Sequence, residues 1–211
     1  MRKTLPALAA LLLLAKGAAA DIENSGADYT PSKATHRAYF ALGSSFAGTF
    51  ATANGYPNDA AKIGLARYHA STGDAGGLTN TLWVGGALRD WLVFGIGGAV
   101  TTVAGSGTLS QGGAIMFHLE GFPLFDRGGV FRDLGLVGDF GVGGRKINYA
   151  SAEVANGGSM SFVALGLLYE PLSFGKHFRW GPILQFAEQF SDTMNATMVI
   201  GGFQVAYYSG P

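Results

Sequence analysis

WLVFGIGGAVTTV, residues 91–103, is the stretch from which the rest of the chain can be read. On an extended backbone Leu92, Phe94, Ile96 and Val100 share one face, while Val93, Gly95, Gly97, Ala99 and Thr101 share the other. One side is large and apolar and the other small, with Gly98 interrupting the apolar side. In residues 133–145, Leu134, Leu136, Phe140 and Val142 oppose Gly135, Val137, Asp139, Gly141 and Gly143. In residues 197–208, Val199, Phe203, Val205 and Tyr207 oppose Gly202, Gln204, Ala206 and Tyr208. A water-soluble barrel needs its large apolar side chains inside. The reverse pattern suits lipid outside and a narrow interior packed with small and polar side chains.

Working outward, eight segments read as strands between clusters of Gly, Pro, Asp, Asn and Ser: 37–49, 78–88, 91–103, 109–120, 133–145, 159–170, 178–190 and 197–208. Soluble strands average ~5–6 residues, whereas a tilted strand crossing a hydrocarbon layer needs about 9–11. The predicted strands meet the second requirement. Arg89-Asp90 predicts a tight turn, and the segments 50–77 and 146–158 are the longest connections. Long connections outside, shorter turns inside and both termini periplasmic would follow for a bacterial barrel.

Composition agrees. Mean hydropathy is +0.24, yet nothing after residue 20 is apolar for long enough to form a membrane-crossing helix. Glycine occupies 34 of 211 positions, more than twice its usual ~7% share. Formal net charge is zero, which gives no electrostatic basis for nucleic-acid binding. The absence of cysteine excludes disulfides, thiolate metal sites and a lipoprotein anchor. At the N-terminus, Arg2 and Lys3 precede an apolar run over 5–15, and Ala18-Ala19-Ala20 offers a small-residue cleavage site. The expected organisation is a signal peptide over 1–20, an N-terminal periplasmic segment over 21–36 and an outer-membrane β-barrel over 37–211.

The signal, the eight alternating strands and a terminal strand bearing Phe203, Val205 and Tyr207 on one face resemble the small eight-stranded outer-membrane barrels of the OmpA/OmpX type. The resemblance covers the whole mature chain and rests on pattern. It implies an all-β, antiparallel up-and-down barrel in the bacterial outer membrane, with outer-membrane lipid and the barrel-assembly machinery as partners. In that group the last strand usually ends on a terminal aromatic residue; here Ser209-Gly210-Pro211 follows Tyr208.

The alternation points Arg37, His118, Glu120, Asp139, Glu170, Arg179, Gln185 and Gln204 into the lumen. Unpaired buried charge is costly, so these residues are expected to form a salt-bridged plug. An ion-selective path is the alternative. Phe178, Trp180 and Tyr207 at one end, with Phe46 and Phe190 at the other, are expected to form interfacial girdles. A faint repeat relates Glu120, Pro123, Phe125, Phe131-Arg132 and Gly135 to Glu170, Pro171, Phe174, Phe178-Arg179 and Gly181.

For catalysis, His118 with Glu120 is the strongest pair, but the topology puts it at the periplasmic rim, away from an outer-leaflet substrate. His69 with Ser71 and Asp74 lies in the first long loop, with no strand to hold it. The glycine runs at 95–98 and 141–146 lack the spacing of a dinucleotide or phosphate loop. His36 and His177 have no second ligand at metal-binding spacing. The reading is therefore a non-enzymatic barrel without cofactor or metal, with a structural or surface-interaction role through its exposed loops. A narrow channel for ions or small solutes is the alternative, and a lipid-modifying enzyme the third. The surface ligand is not legible.

Overall fold

The computed structural model describes residues 39–55, 70–127, 129 and 131–209. Its strands are β1 (Tyr39–Gly55), β2 (Ala75–Arg89), β3 (Leu92–Gly105), β4 (Thr108–Gly121), β5 (Leu134–Tyr149), β6 (Ala152–Asn156), β7 (Met160–Tyr169), β8 (Leu172–Phe174), β9 (Phe178–Phe190) and β10 (Met194–Tyr208). Eight of them form one antiparallel meander, β1-β2-β3-β4-β5-β7-β9-β10, and β10 pairs back onto β1 from Ala41↔Tyr208 to Gly55↔Met194. The sheet is closed. β6 pairs with β5 and β8 with β9, as short extensions of their hairpins.

The register fixes the shape. Paired residues lead from Ala41 to Gly85, Gly95, His118, Asp139, Ala164, Ala187 and Met198, and the circuit returns to β1 at Ala51. One turn round the barrel thus climbs from residue 41 to residue 51. Ten steps of about 3.3 Å against eight spacings of about 4.8 Å set a strand tilt of roughly 40°. At that tilt each residue rises about 2.5 Å along the axis, so the outward apolar side chains from Phe40 to Phe50 cover about 25 Å. Beyond them polar positions begin: Thr52 and Asn54 on β1, Gln111 on β4, Lys146 on β5 and Glu188 on β9. The exposed outward side chains within the band include Leu82, Ile96, Ile115, Phe117, Leu165, Phe186 and Phe203. This is a surface that hydrocarbon satisfies and water does not. Among the described residues no helix is long and apolar enough to cross a membrane; the strands do so.

All eight expected strands are present. β1 runs on to Gly55 and β10 starts at Met194, because Asn54 pairs with Asn195 and Gly55 with Met194. Those residues looked like turn signals but sit on a ladder whose backbone bonds are satisfied above the apolar band. The expected loop 146–158 is largely strand. β5 continues to Tyr149, turns through Ala150 and Ser151 at φ 47° and 69°, and returns as β6. Two consecutive residues with positive φ make the turn type that matches the twist of a hairpin.

The interior corrects one expectation. It is not simply small and polar. Large apolar side chains are buried within it, including Trp83, Met116, Phe162, Leu168, Met194 and Met198. The connection after β4 serves this packing: Phe122 and Phe125 fold inward at the end that holds Tyr39 and Tyr208 (the terminus end), with Arg132 lying 4.2 Å over the Phe125 ring. Gly135 leaves room for them, since a Cβ there would stand 2.8 Å from the Phe122 ring. An eight-stranded barrel has an interior that side chains can just fill, and this one fills it.

Candidate functional site

Inward-pointing residues of non-neighbouring strands meet toward the terminus end. His118 on β4 faces two carboxylates: Nδ1 lies 2.6 Å from Asp139 Oδ1 on β5, and Nε2 lies 3.0 Å from Glu120 Oε1. An imidazolium satisfies that arrangement with two donated hydrogen bonds. Gln185 Nε2 donates to the other Asp139 oxygen at 2.6 Å, and Gln204 Nε2 donates to Glu120. Tyr208 OH sits between Glu120 Oε2, 3.0 Å away, and Glu170 Oε2, 3.1 Å away. Glu120 and Glu170 are fully buried. They occupy equivalent places in the two repeated turns and converge on one phenol.

Trp83 roofs the cluster. Its ring stacks on His118 with centroids 4.5 Å apart and planes 20° off parallel, a favourable contact for a cationic ring. It fits because Gly43 has no side chain; a Cβ there would lie 2.3 Å from the indole. Trp83 Nε1 is buried without a hydrogen-bond partner among the described residues.

Higher in the lumen, hydroxyls link β1, β2 and β3: Thr49 to Thr79 at 2.6 Å, Thr79 to Thr101 at 3.0 Å, and Ser45 to Thr81 at 2.6 Å. Toward the opposite, loop end, Arg145 is buried. Its Nε donates to Gln189 Oε1 at 3.1 Å, its Nη1 to Ser110 Oγ at 3.2 Å, and its Nη2 lies 3.2 Å from Met198 Sδ.

Of the residues expected in the lumen, the structure thus joins His118, Glu120, Asp139, Glu170, Gln185 and Gln204. Arg179 is half-buried at the start of β9, on a rung with Ala206. Arg37, like His36 and His69, lies outside the described residues. Among the described residues, His118 and the neutral donors Gln185, Gln204 and Tyr208 are seen on these carboxylates. Ser71 is engaged elsewhere, with its Oγ 2.5 Å from Asn54 Oδ1. His177 Nδ1 lies 3.0 Å from the carbonyl of Tyr208.

Trp83, Tyr208, Arg145, Gln189 and Ser110 were missed as lumen residues of interest, although strand parity carried the signal. Leu82 and Val84 point out, so Trp83 must point in. Arg145 follows Asp139, Gly141 and Gly143 on the inward face.

Of the expected girdle residues, Phe178, Trp180 and Tyr207 gather at the terminus end. Phe178 meets Tyr207 edge-on at 5.2 Å, and Trp180 lies 6.4 Å from Phe203. Phe190 is at the loop end of β9. Phe46 is a correction: because β1 extends to Gly55, Phe46 lies near mid-strand opposite Phe203, not at a rim.

Closure, stagger and the outward apolar band together decide the fold. It is that of a small transmembrane β-barrel. No family model and no curated protein matches the sequence. Solved structures do resemble the barrel. Ail, the attachment invasion locus protein of Yersinia pestis, shares 10% identity over 79% of this chain and 98% of its own, with a TM-score of 0.47. Neisserial surface protein A (NspA) shares 10% identity over 79% of this chain and 96% of its own, with a TM-score of 0.48. The outer membrane protein OprG from Pseudomonas aeruginosa shares 10% identity over 81% and 96%, with a TM-score of 0.38.

Proposed function

We propose that this barrel resides in the bacterial outer membrane after export by the 1–20 signal, with residues 21–36 in the periplasm, and that it works through its exposed loop end. Insertion by the barrel-assembly machinery belongs to this reading, as do periplasmic termini. The observation that carries it is the filled lumen. Phe122, Trp83 and Tyr208 occupy the terminus end, Met116, Phe162 and Met198 the middle, and Ile147, Met160 and Met194 the loop end. A structural or surface-interaction role needs no path through such an interior. A narrow channel would need one.

The same packing argues against catalysis at His118. Both ring nitrogens are engaged by carboxylates and the ring face is covered by Trp83, so a substrate has no approach. Among the described residues, the β5–β6 hairpin presents Tyr149, Ala150 and Ser151 exposed at its tip at the loop end. Reconstitution in planar bilayers tests the choice. The expected record is a quiet baseline. Steady unitary steps that change on neutralising Glu120 would establish the channel instead.

A further inference from the structure

The outward face carries a group that hydrocarbon does not satisfy. Leu78, Asn80, Leu82 and Val84 are the outward positions in the middle of β2, and Asn80 pairs with Phe46 on β1 and with Val100 on β3. Leu78, Leu82, Phe46 and Val100 are all large, apolar and exposed, so the exposed carboxamide of Asn80 stands inside a ring of them. Phe50, where the apolar band ends on β1, is four residues beyond Phe46. At about 2.5 Å each, less about 3 Å for the step to β2, Asn80 lies ~7 Å below that edge. Its single methylene is too short to carry the amide out to water, as the long stems of Lys and Arg do. The amide has no hydrogen-bond partner among the described residues. Ser44, also outward on β1, solves the same problem within the chain: its Oγ donates to the Thr81 carbonyl at 2.9 Å.

We propose that the face around Asn80 docks against the same face of a second copy of this chain within the membrane, the two Asn80 amides pairing across a two-fold axis along the membrane normal.

Symmetry selects the occupant. Lipid chains offer neither donor nor acceptor, and an unpaired amide in hydrocarbon is costly. Two copies inserted in the same direction form a closed pair only about an axis along the normal, so each residue meets residues at its own height. On this face the polar group at that height is Asn80 itself. A carboxamide has one oxygen that accepts and two N–H groups that donate, so it is complementary to its own copy.

The surroundings leave room for close approach. Gly48 lies two residues beyond Phe46 on β1, and Gly98 two residues before Val100 on β3. They flank Asn80 on its two sides, each within about 2 Å of its height. Across the axis, Gly48 of one copy therefore comes opposite Gly98 of the other. Nothing inside the barrel requires glycine at either place. A Cβ on Gly48 would meet only the Gly201 carbonyl, at 3.7 Å, and one on Gly98 only the Ala114 carbonyl, at 3.5 Å. The inward Gly97 differs, since a Cβ there would stand 2.6 Å from the Leu82 carbonyl. Glycine weakens a strand, and where the fold does not demand it, it marks a surface that another backbone approaches.

The inference rests on the membrane reading above. The chain has no cysteine, so an introduced thiol reports without ambiguity. Asn80→Cys is compared with Leu165→Cys, an exposed outward position on β7, four strands round the barrel. Each whole mature chain is placed in phosphatidylcholine vesicles and oxidised with copper phenanthroline. The covalent dimer should form faster at position 80 by about tenfold or more, because the two thiols would lie within disulfide reach. The amide is tested apart from the thiol, by sedimentation equilibrium in uncharged maltoside micelles. Asn80→Leu should raise the dimer dissociation constant by about fivefold to thirtyfold, the range for a hydrogen bond between membrane segments. Gly48→Leu, which fills the bare flank without touching the lumen, should weaken the dimer as well. Equal cross-linking at positions 80 and 165, or an unchanged dissociation constant in Asn80→Leu, would overturn the proposal. All variants should keep their faster migration on gels before boiling. Loss of that migration in the unsubstituted chain would overturn the membrane reading, and this interface with it.

Discussion

The two ends of the lumen handle buried charge in opposite ways. At the terminus end Glu120, Asp139 and Glu170 are gathered around His118, Gln185, Gln204 and Tyr208, and Trp83 covers them. At the loop end a single guanidinium is held by an amide, a hydroxyl and a thioether, with glycine leaving space beside it. Among the described residues, the first gathers three carboxylates round one imidazole and neutral donors, whereas the second holds one guanidinium with neutral acceptors. Both cross the lumen instead of following the ladder. Gln204 and Tyr208 of β10 reach Glu120 of β4, and Arg145 of β5 reaches Met198 of β10. Such cross-braces tie the barrel to one register, because a slip of one residue would turn every one of these groups toward lipid.

Substitutions at the terminus end should therefore be the more damaging. His118→Leu removes the one group that faces both Asp139 and Glu120 and leaves buried carboxylates short of a partner. The expected loss is about 3–5 kcal/mol, read as a lower urea midpoint in micelles. A loss below about 1 kcal/mol would mean that the cluster is not the brace described.

The outward face gives a second contrast, by height. Phe46→Arg at mid-barrel should cost about 2–4 kcal/mol, and Gln111→Arg at the loop end about 0–1, when unfolding is measured from lipid bilayers. Equal costs would move the membrane band. The Phe46 value also separates its mid-strand position from the girdle position expected from sequence.

A smaller effect probes the seat of Trp83. Gly43→Val drives a side chain into the indole and should cost about 1–3 kcal/mol, most of it recovered when Trp83→Leu is added. Simple additivity of the two changes would show that the glycine serves something other than this ring.

The fold was largely legible in the sequence, and the reason is physical. Lipid outside and a narrow interior impose a strict two-residue period, so the stretch 91–103 alone shows it. Strand ends were less legible. Above the apolar band neither face is held to that pattern, so Asn54-Gly55 and Asn195 looked like turns although their backbones are paired. The carboxylate cluster was readable residue by residue from parity, but its assembly was not. Contacts such as Glu120 with Tyr208, 88 positions apart, depend on the stagger of the whole barrel, which no local pattern encodes. Trp83 and Arg145 also follow from strand parity, but the space they fill does not: Gly43 and Gly112, their partners on the neighbouring strands, are what make it.

The central claim is a closed barrel lying in an outer membrane with its lumen packed. Migration on SDS gels of protein drawn from outer-membrane fractions, with and without boiling, tests it most directly. A closed hydrogen-bond network with no free edge resists SDS until heated. The account predicts a faster unboiled band from that fraction. One band position regardless of heating, with the protein recovered in the soluble periplasmic fraction, would contradict it.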